Sequence, residues 1–203
     1  MAEFSLEELS VFLPKYLSPE KQQGLFEELK QFPKNVAFYD PSHDLKQSVL
    51  QGDGWKGLIA INFETLAKKP VSGVIISNSC DIDVKNDHDH APNVLFAPIV
   101  SLAGFIEILR KAGKTEHELT VKLDVIRRQR ISSLFHLPKY NGVIEESIIV
   151  LDDIHRHPLN DFIKTDRAKL FTLTQLGFYI FVFKMSIHFH RLNEGLARFV
   201  PPK

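Results

Sequence analysis

The chain is poor in the residues that mark specialised classes. It has one cysteine, Cys80, in 203 residues, which excludes an intrachain disulfide framework and an all-cysteine zinc site. A lone thiol suits a reducing compartment, and the expectation is a cytoplasmic protein. Charge of one sign is also missing. Lys and Arg number 25, Asp and Glu 25, and the formal net charge is zero. No global field therefore draws the chain to nucleic acid or to an anionic membrane, though a local basic patch stays open. Long apolar runs are absent too. The most hydrophobic segment, Leu170 to Phe189, is broken by Thr172, Thr174, Gln175, Lys184, Ser186 and His188. Its longest unbroken stretch, Leu176 to Phe183, falls well short of the ~20 residues a spanning helix needs, so no membrane partner is expected. The opening MAEFSLEELS is acidic, without the basic region and apolar core of a signal peptide. No GxGxxG, Walker lysine loop, GxSxG elbow or HExxH occurs. Their absence argues against dinucleotide binding, P-loop phosphoryl transfer, α/β-hydrolase chemistry and zincin proteolysis.

What remains is an ordinary globular composition, 44% hydrophobic and 25% charged, enough for one large domain or a compact domain with an extension. Ser5 with Glu8 is a capping box before LEELSVFL, stopped near Pro14. Ser18-Pro19-Glu20 opens a second helix, with Leu25, Phe26, Leu29 and Phe32 on one face and Pro33 as its end. These two helices predict an N-terminal helical extension over 1–35, ahead of a barrel-plus-helix domain over 36–203.

Three apolar strands follow closely: WKGLIAINF, Val71 to Ser77, and Asn93 to Val100. Their links are too short for helical crossovers, which predicts antiparallel pairing. Ser101 caps a helix ended by Gly113, and Thr115 to Arg130 is a second, mostly charged helix. Its last turn carries Arg127, Arg128 and Arg130. Basic residues suit the negative end of a helix dipole, and phosphate binding is the functional alternative, which makes these three the candidate nucleic-acid contacts. Ile131 to Leu137 and Glu146 to Leu151 predict a hairpin around Asn141-Gly142. A long helix from about Lys169 to Arg198 closes the chain. It bears two apolar stripes: Leu173, Leu176, Ile180, Phe183 and Ile187 on one side, Phe178, Val182, Met185, Phe189, Leu192 and Leu196 on the other. Two stripes imply deep burial in its own domain or a homodimer through this helix.

The stretch VSGVIISNSCDID, Val71 to Asp83, organises the rest: an apolar strand running into an acidic turn that carries the cysteine. The plain reading is a small buried Cys80 closing the strand, with Asp81 capping the turn. A catalytic reading makes Cys80 a nucleophile with a nearby histidine as base. A metal reading places zinc on Cys80, His88, His90 and a carboxylate. His155-Arg156-His157 after Asp152-Asp153 is expected to be a polar loop, and is also the candidate acid/base pair for RNA cleavage. His190 falls off both stripes and is expected at a surface or interface.

Two resemblances join these readings. GDGWKGLIAINF, KKPVSGVIISN and NVLFAPIV resemble the opening strands of the small SH3-like barrels of the MazF/PemK toxin type, with Lys69-Pro70 near the place of that family's catalytic Arg-Pro. The resemblance implies a dimeric endoribonuclease cutting single-stranded RNA, and two helices between Ser101 and Arg130 interrupt the barrel here. Closer is the pattern SNSCDID, LFAPIV, LFHLP, SIIVLDDI and a long helix with FHR, from about Gly52 to Arg191. It is similar to a widespread group of uncharacterised bacterial and phage proteins, through Ser77, Cys80, Asp81, Phe135, Leu137, Pro138 and Arg191. That resemblance implies a link to phage or mobile elements and brings no activity with it.

The expectation is therefore an α+β protein: a curved antiparallel SH3-like barrel with an N-terminal helical hairpin, two inserted helices and a long C-terminal helix. The function expected is a non-catalytic, homodimeric interaction or regulatory protein without a cofactor, with a protein partner or RNA as the open possibilities. The rivals are the toxin-like nuclease, using Lys69, Arg127, Arg128 and His155 or His157, and a metal-dependent enzyme at Cys80 to His90.

Overall fold

The turn residues Gln51 to Asp53 lead into β1 (Gly54–Ile61), which forms an antiparallel hairpin with β2 (Lys68–Ile75). The computed structural model describes residues 37–190 except 43, 46, 47 and 141, together with Glu20, Gly24 and Glu27. The helix expected after Ser5 lies outside the described residues. Of the one expected after Ser18, Glu20, Gly24 and Glu27 are described and helical.

The β1–β2 register slips between Lys56 and Leu58, at Gly57. Gly57 has φ +85, the left-handed region that a bulge of this kind uses and that glycine enters without strain. Such a bulge bends the hairpin, and Leu58 beside it is fully buried. Pro70 stands opposite Ile59. It lies outside the stretch where β3 (Asn93–Ser101) pairs with β2, which is Gly73 to Ile75, so its missing N–H costs no ladder bond there.

β3 runs straight into α1 (Leu102–Lys111), and Ser101 Oγ accepts the Gly104 N–H at 3.3 Å. α2 (Glu116–Arg127) starts at the Thr115–Glu118 capping box. Leu102, Ile106, Leu119 and Ile126 turn their faces onto Leu134 and Ile148. These last two belong to β4 (Leu134–Leu137) and β5 (Ser147–Val150), the second hairpin. The inserted pair of helices therefore stands as expected.

β5 pairs with the C-terminal half of β3, while β6 (His155–Pro158) pairs with its N-terminal half. The expected polar loop at His155-Arg156-His157 is thus a strand. Short α3 (Leu159–Lys164) follows, then β7 (Ala168–Phe171) returns to β1. The expected start of the last helix at Lys169 is corrected by this strand. α4 begins at Gln175 and is described to His190. Thr174 caps it, its Oγ1 accepting the Gly177 N–H at 3.1 Å.

The seven-stranded sheet has the order β4-β5-β3-β2-β1-β7, with β6 also beside β3, and every strand pairing is antiparallel. The α+β class holds. The sheet is open, with β4 and β7 as its ends. Leu176, Ile180, Phe181 and Met185 of α4 pack on Phe135, Leu137, Ile149 and Phe171. Both predicted stripes are covered by the chain itself as far as Met185, while Ile187 and Phe189 are exposed. No described helix is long and apolar enough to cross a membrane.

Candidate functional site

β2 ends where Ser77 ties the chain to β3, its Oγ donating to Asn93 O at 3.1 Å and accepting the Leu95 N–H at 2.8 Å. Asn78 Oδ1 accepts the Cys80 N–H at 2.9 Å, which starts a single 3-10 turn over Cys80–Ile82. The side chain that holds the start of this turn is therefore Asn78 and not Asp81, which is exposed; Ser79 stands at the N-cap without a side-chain bond to the turn. Ile82 anchors the turn, buried with Trp55, Leu58, Phe96, Leu159 and Phe162. That anchor pins the loop from below and leaves Cys80 outside. Cys80 is a free, exposed thiol, which corrects the expected burial.

The loop's polar groups largely satisfy one another. Asp83 Oδ1 accepts the Lys85 N–H at 3.0 Å, and a His88 ring nitrogen lies 3.0 Å from Asp83 O. Asn86 Nδ2 donates to Cys80 O at 2.7 Å, and His90 is exposed. Among the described residues no three or more His, Cys, Asp or Glu are grouped to hold a metal, and Cys80, His88 and His90 do not form such a group.

Beside this turn lies a cavity of about 540 Å³. The turn supplies Ser79, Cys80, Ile82 and Asp83 to one wall. β1 and α3 supply Trp55, Leu159, Phe162 and Ile163, and Arg167 lines the cavity with them. Trp55 and Phe162 meet edge to face, with ring centroids 5.2 Å apart. Behind Trp55 lies a buried ion pair, Lys169 Nζ to Asp53 Oδ2 at 2.7 Å, with the ammonium 5.6 Å from the indole centre. Burial pushes the Asp53 carboxyl above its ordinary value, and Lys169 pulls it back. The indole Nε1 is buried without an acceptor among the described residues.

Arg167 is half-buried, and its guanidinium lies over the Phe162 ring at 4.9 Å. Nε donates to Gly57 O at 3.2 Å, Nη1 to Asp161 O at 2.9 Å and to Thr165 Oγ1, and Nη2 lies 3.5 Å from His157 Nδ1. The two carbonyls and the hydroxyl are neutral acceptors.

The candidate acid/base histidines serve the sheet. β1 and β6 do not pair through their backbones, and histidines span the gap. His157 Nε2 accepts the Ile59 N–H at 3.0 Å, and His155 Nδ1 lies 3.5 Å from the Ile61 N–H. Both rings stack on Phe96, with centroids 5.3 and 5.5 Å away. His155 Nε2 also meets Asp153 at 2.9 Å, and His188 Nε2 meets Asp152 at 2.8 Å. The Asp152-Asp153 pair therefore does hold histidines. Burial, with Arg167 nearby, holds His157 below the ordinary histidine pKa.

The remaining candidates are dispersed. Lys69 lies on an exposed stretch of β2. Arg127 forks onto Glu146 with two bonds of 2.7 Å, and Arg128 meets Asp124 at 2.8 Å. Glu146 also meets His136 at 2.8 Å. Arg130 follows in the turn after α2, and the His190 side chain lies outside the described residues. Trp55, Phe162 and Arg167 were not singled out by sequence reasoning. Trp55 is the only tryptophan, which could have drawn notice. Nothing local in the sequence marks Arg167. No family model matches the chain, and no curated protein matches it either.

Proposed function

We propose that the chain is a non-catalytic binding module, a cytoplasmic interaction or regulatory protein that takes an apolar ligand into the pocket beside Cys80. One observation carries this reading: a cavity of about 540 Å³ walled by Trp55, Ile82, Leu159 and Phe162, with Ser79, Asp83, Lys85, Thr165 and Arg167 as polar groups in the same lining. Sites for small molecules are commonly ~300–1,000 Å³, mostly apolar, with a few placed polar groups. The histidine geometry favours binding over RNA cleavage. A histidine that accepts backbone N–H bonds inside a sheet gap and stacks on Phe96 is occupied structurally. The carboxylates on Arg127 and Arg128 likewise compete with any phosphate.

Three finer features belong to the same proposal. The bent sheet is an SH3-like half-barrel whose β1–β6 gap is filled by histidines. The protein is a homodimer through α4, supported by exposed Ile187 and Phe189 on stripes that run on in sequence to Leu192 and Leu196. A phage or mobile-element link follows from the family resemblance alone.

The test uses Nile red, a neutral apolar dye. Binding should quench Trp55, the only tryptophan, and Ile163→Arg should abolish it, since Ile163 lines the cavity and is 50% exposed. The same protein should leave a mixed-sequence single-stranded RNA intact. No dye binding, together with RNA cleavage lost in His157→Ala, would contradict the proposal.

A further inference from the structure

We propose that the ligand of this pocket is a small apolar carboxylic acid, bound as its anion, with the carboxylate on Arg167 and the hydrocarbon or aryl body against Trp55, Ile82 and Phe162. This rests on the pocket being a binding site, and it adds the chemical class of the occupant.

The case begins with the charge on Arg167. A half-buried guanidinium ordinarily has a carboxylate or phosphate opposite it, because a desolvated charge is costly without a counter-charge. Arg167 has only the carbonyls of Gly57 and Asp161, the Thr165 hydroxyl and the His157 ring. Asp161 holds it through the backbone, and among the described residues no carboxylate forms an ion pair with it. Guanidinium has five N–H donors. Nε and Nη1 are engaged, while Nη2 has only a 3.5 Å approach to His157 Nδ1, which carries the ring proton when Nε2 accepts the Ile59 N–H, so Nη2 is left for a ligand. Burial lowers the Arg167 pKa, and the Asp161 carboxylate opposes that through space without bonding to it. An anion in the cavity would add a counter-charge bonded directly to the guanidinium, and Lys85 on the same lining is a second cation beside the Asp83 carboxylate.

The apolar half of the argument is the wall. Phe162 touches both Arg167 and Trp55, so the cation and the aromatic surface are joined through one ring. A ligand that spans them needs a charged head and an apolar body in one small molecule. Trp55 Nε1 has no acceptor among the described residues and is buried. A ligand oxygen that parts the Trp55–Phe162 edge contact would give it one. A volume of about 540 Å³ falls in the range of small-molecule sites.

The experiment is a Trp55 emission titration of the full-length wild-type protein with three probes: 4-phenylbutyrate, the uncharged 4-phenylbutyramide, and acetyl-Gly-Leu with a free carboxylate. The expected result is 4-phenylbutyrate binding at least tenfold more tightly than its amide, with the difference shrinking in high salt, and more tightly than the peptide. Equal binding of acid and amide would overturn the anion assignment and leave the pocket reading standing. Tighter binding of the peptide would overturn the small-acid assignment. Binding of no probe would remove the pocket reading itself. Arg167→Lys serves as the variant arm and should weaken the acid without weakening the amide. The wild-type comparison decides the matter if that variant fails to fold.

Discussion

His157 shows how a residue read as chemistry becomes structure. Its ring takes the Ile59 N–H at 3.0 Å and stacks on Phe96. The hydrogen bond requires an unprotonated Nε2, and burial lowers the ring's pKa in that direction. His136 is held down in the same direction, chiefly by burial, with Glu146 opposing. Unfolded histidines take up a proton near pH ~6.5 that these two refuse when folded. The unfolded state thus binds more protons below that pH. Stability is full above it and falls as pH drops through the lowered values. The midpoint of thermal unfolding should fall between pH 7.5 and 5.5, and His157→Gln should make that fall smaller. An unchanged pH slope in the variant would remove His157 from this role. Lys184 tells the same story on the basic side. It is 4% exposed, its Nζ donates to Gln129 O at 2.5 Å, and burial lowers its pKa to about 8. Unfolded lysine keeps its proton to about 10.4. The unfolded state therefore binds more protons above pH 8, and stability should rise from pH 8 toward 9.5. Chemical denaturation of Lys184→Met should lack that rise. The scan stops short of pH 10, where buried Tyr39, its pKa raised by burial, begins to act the other way.

Elements differ in how plainly they can be read. β1, β2, β3, α1, α2, β4 and β5 were legible because most carry their own signal: an apolar run, a cap such as Ser101, a stop such as Gly113. β6 was not, because its sequence HRHP is polar throughout. Its histidines are half-buried by stacking on Phe96, and no hydrophobicity pattern shows a stacked imidazole. β7 was absorbed into the helix before α4 because Lys169 to Leu173 continues the helical stripe. Pairing with β1 and the Asp53–Lys169 ion pair decide its state, and both are long-range. Gly73 records how tightly these strands meet. A Cβ there would lie 2.7 Å from the Phe96 ring, 2.9 Å from Ala97 O and 2.9 Å from Leu58. Two of the three neighbours are packed core side chains and the third is backbone. Gly73→Ala should cost about 1–3 kcal/mol, the usual penalty for overpacking, seen as a lower urea midpoint at unchanged slope. A neutral substitution would show that β2 and β3 can separate here.

At the scale of the whole molecule, three stretches distant in the chain make one pocket. The acidic turn after β2 was legible as a feature of the sequence, but its single thiol was expected to be buried and is exposed. Trp55, Phe162 and Arg167 reach it only through folding: β1 and β7 pair across the sheet edge, and α3 hangs between β6 and β7. No spacing rule in a sequence could join them. The single cysteine and the single tryptophan both line this cavity, so one protein carries a unique label site and a unique reporter. The measurement that tests the binding-module account most directly is Nile red titration before and after Cys80 is alkylated with N-phenylmaleimide, followed by Trp55 emission, with circular dichroism confirming an intact fold. The account expects the alkylated protein to stay folded and lose the dye, with Trp55 emission shifted by the new neighbour. Folded, alkylated protein that binds the dye like the unlabelled one would contradict it.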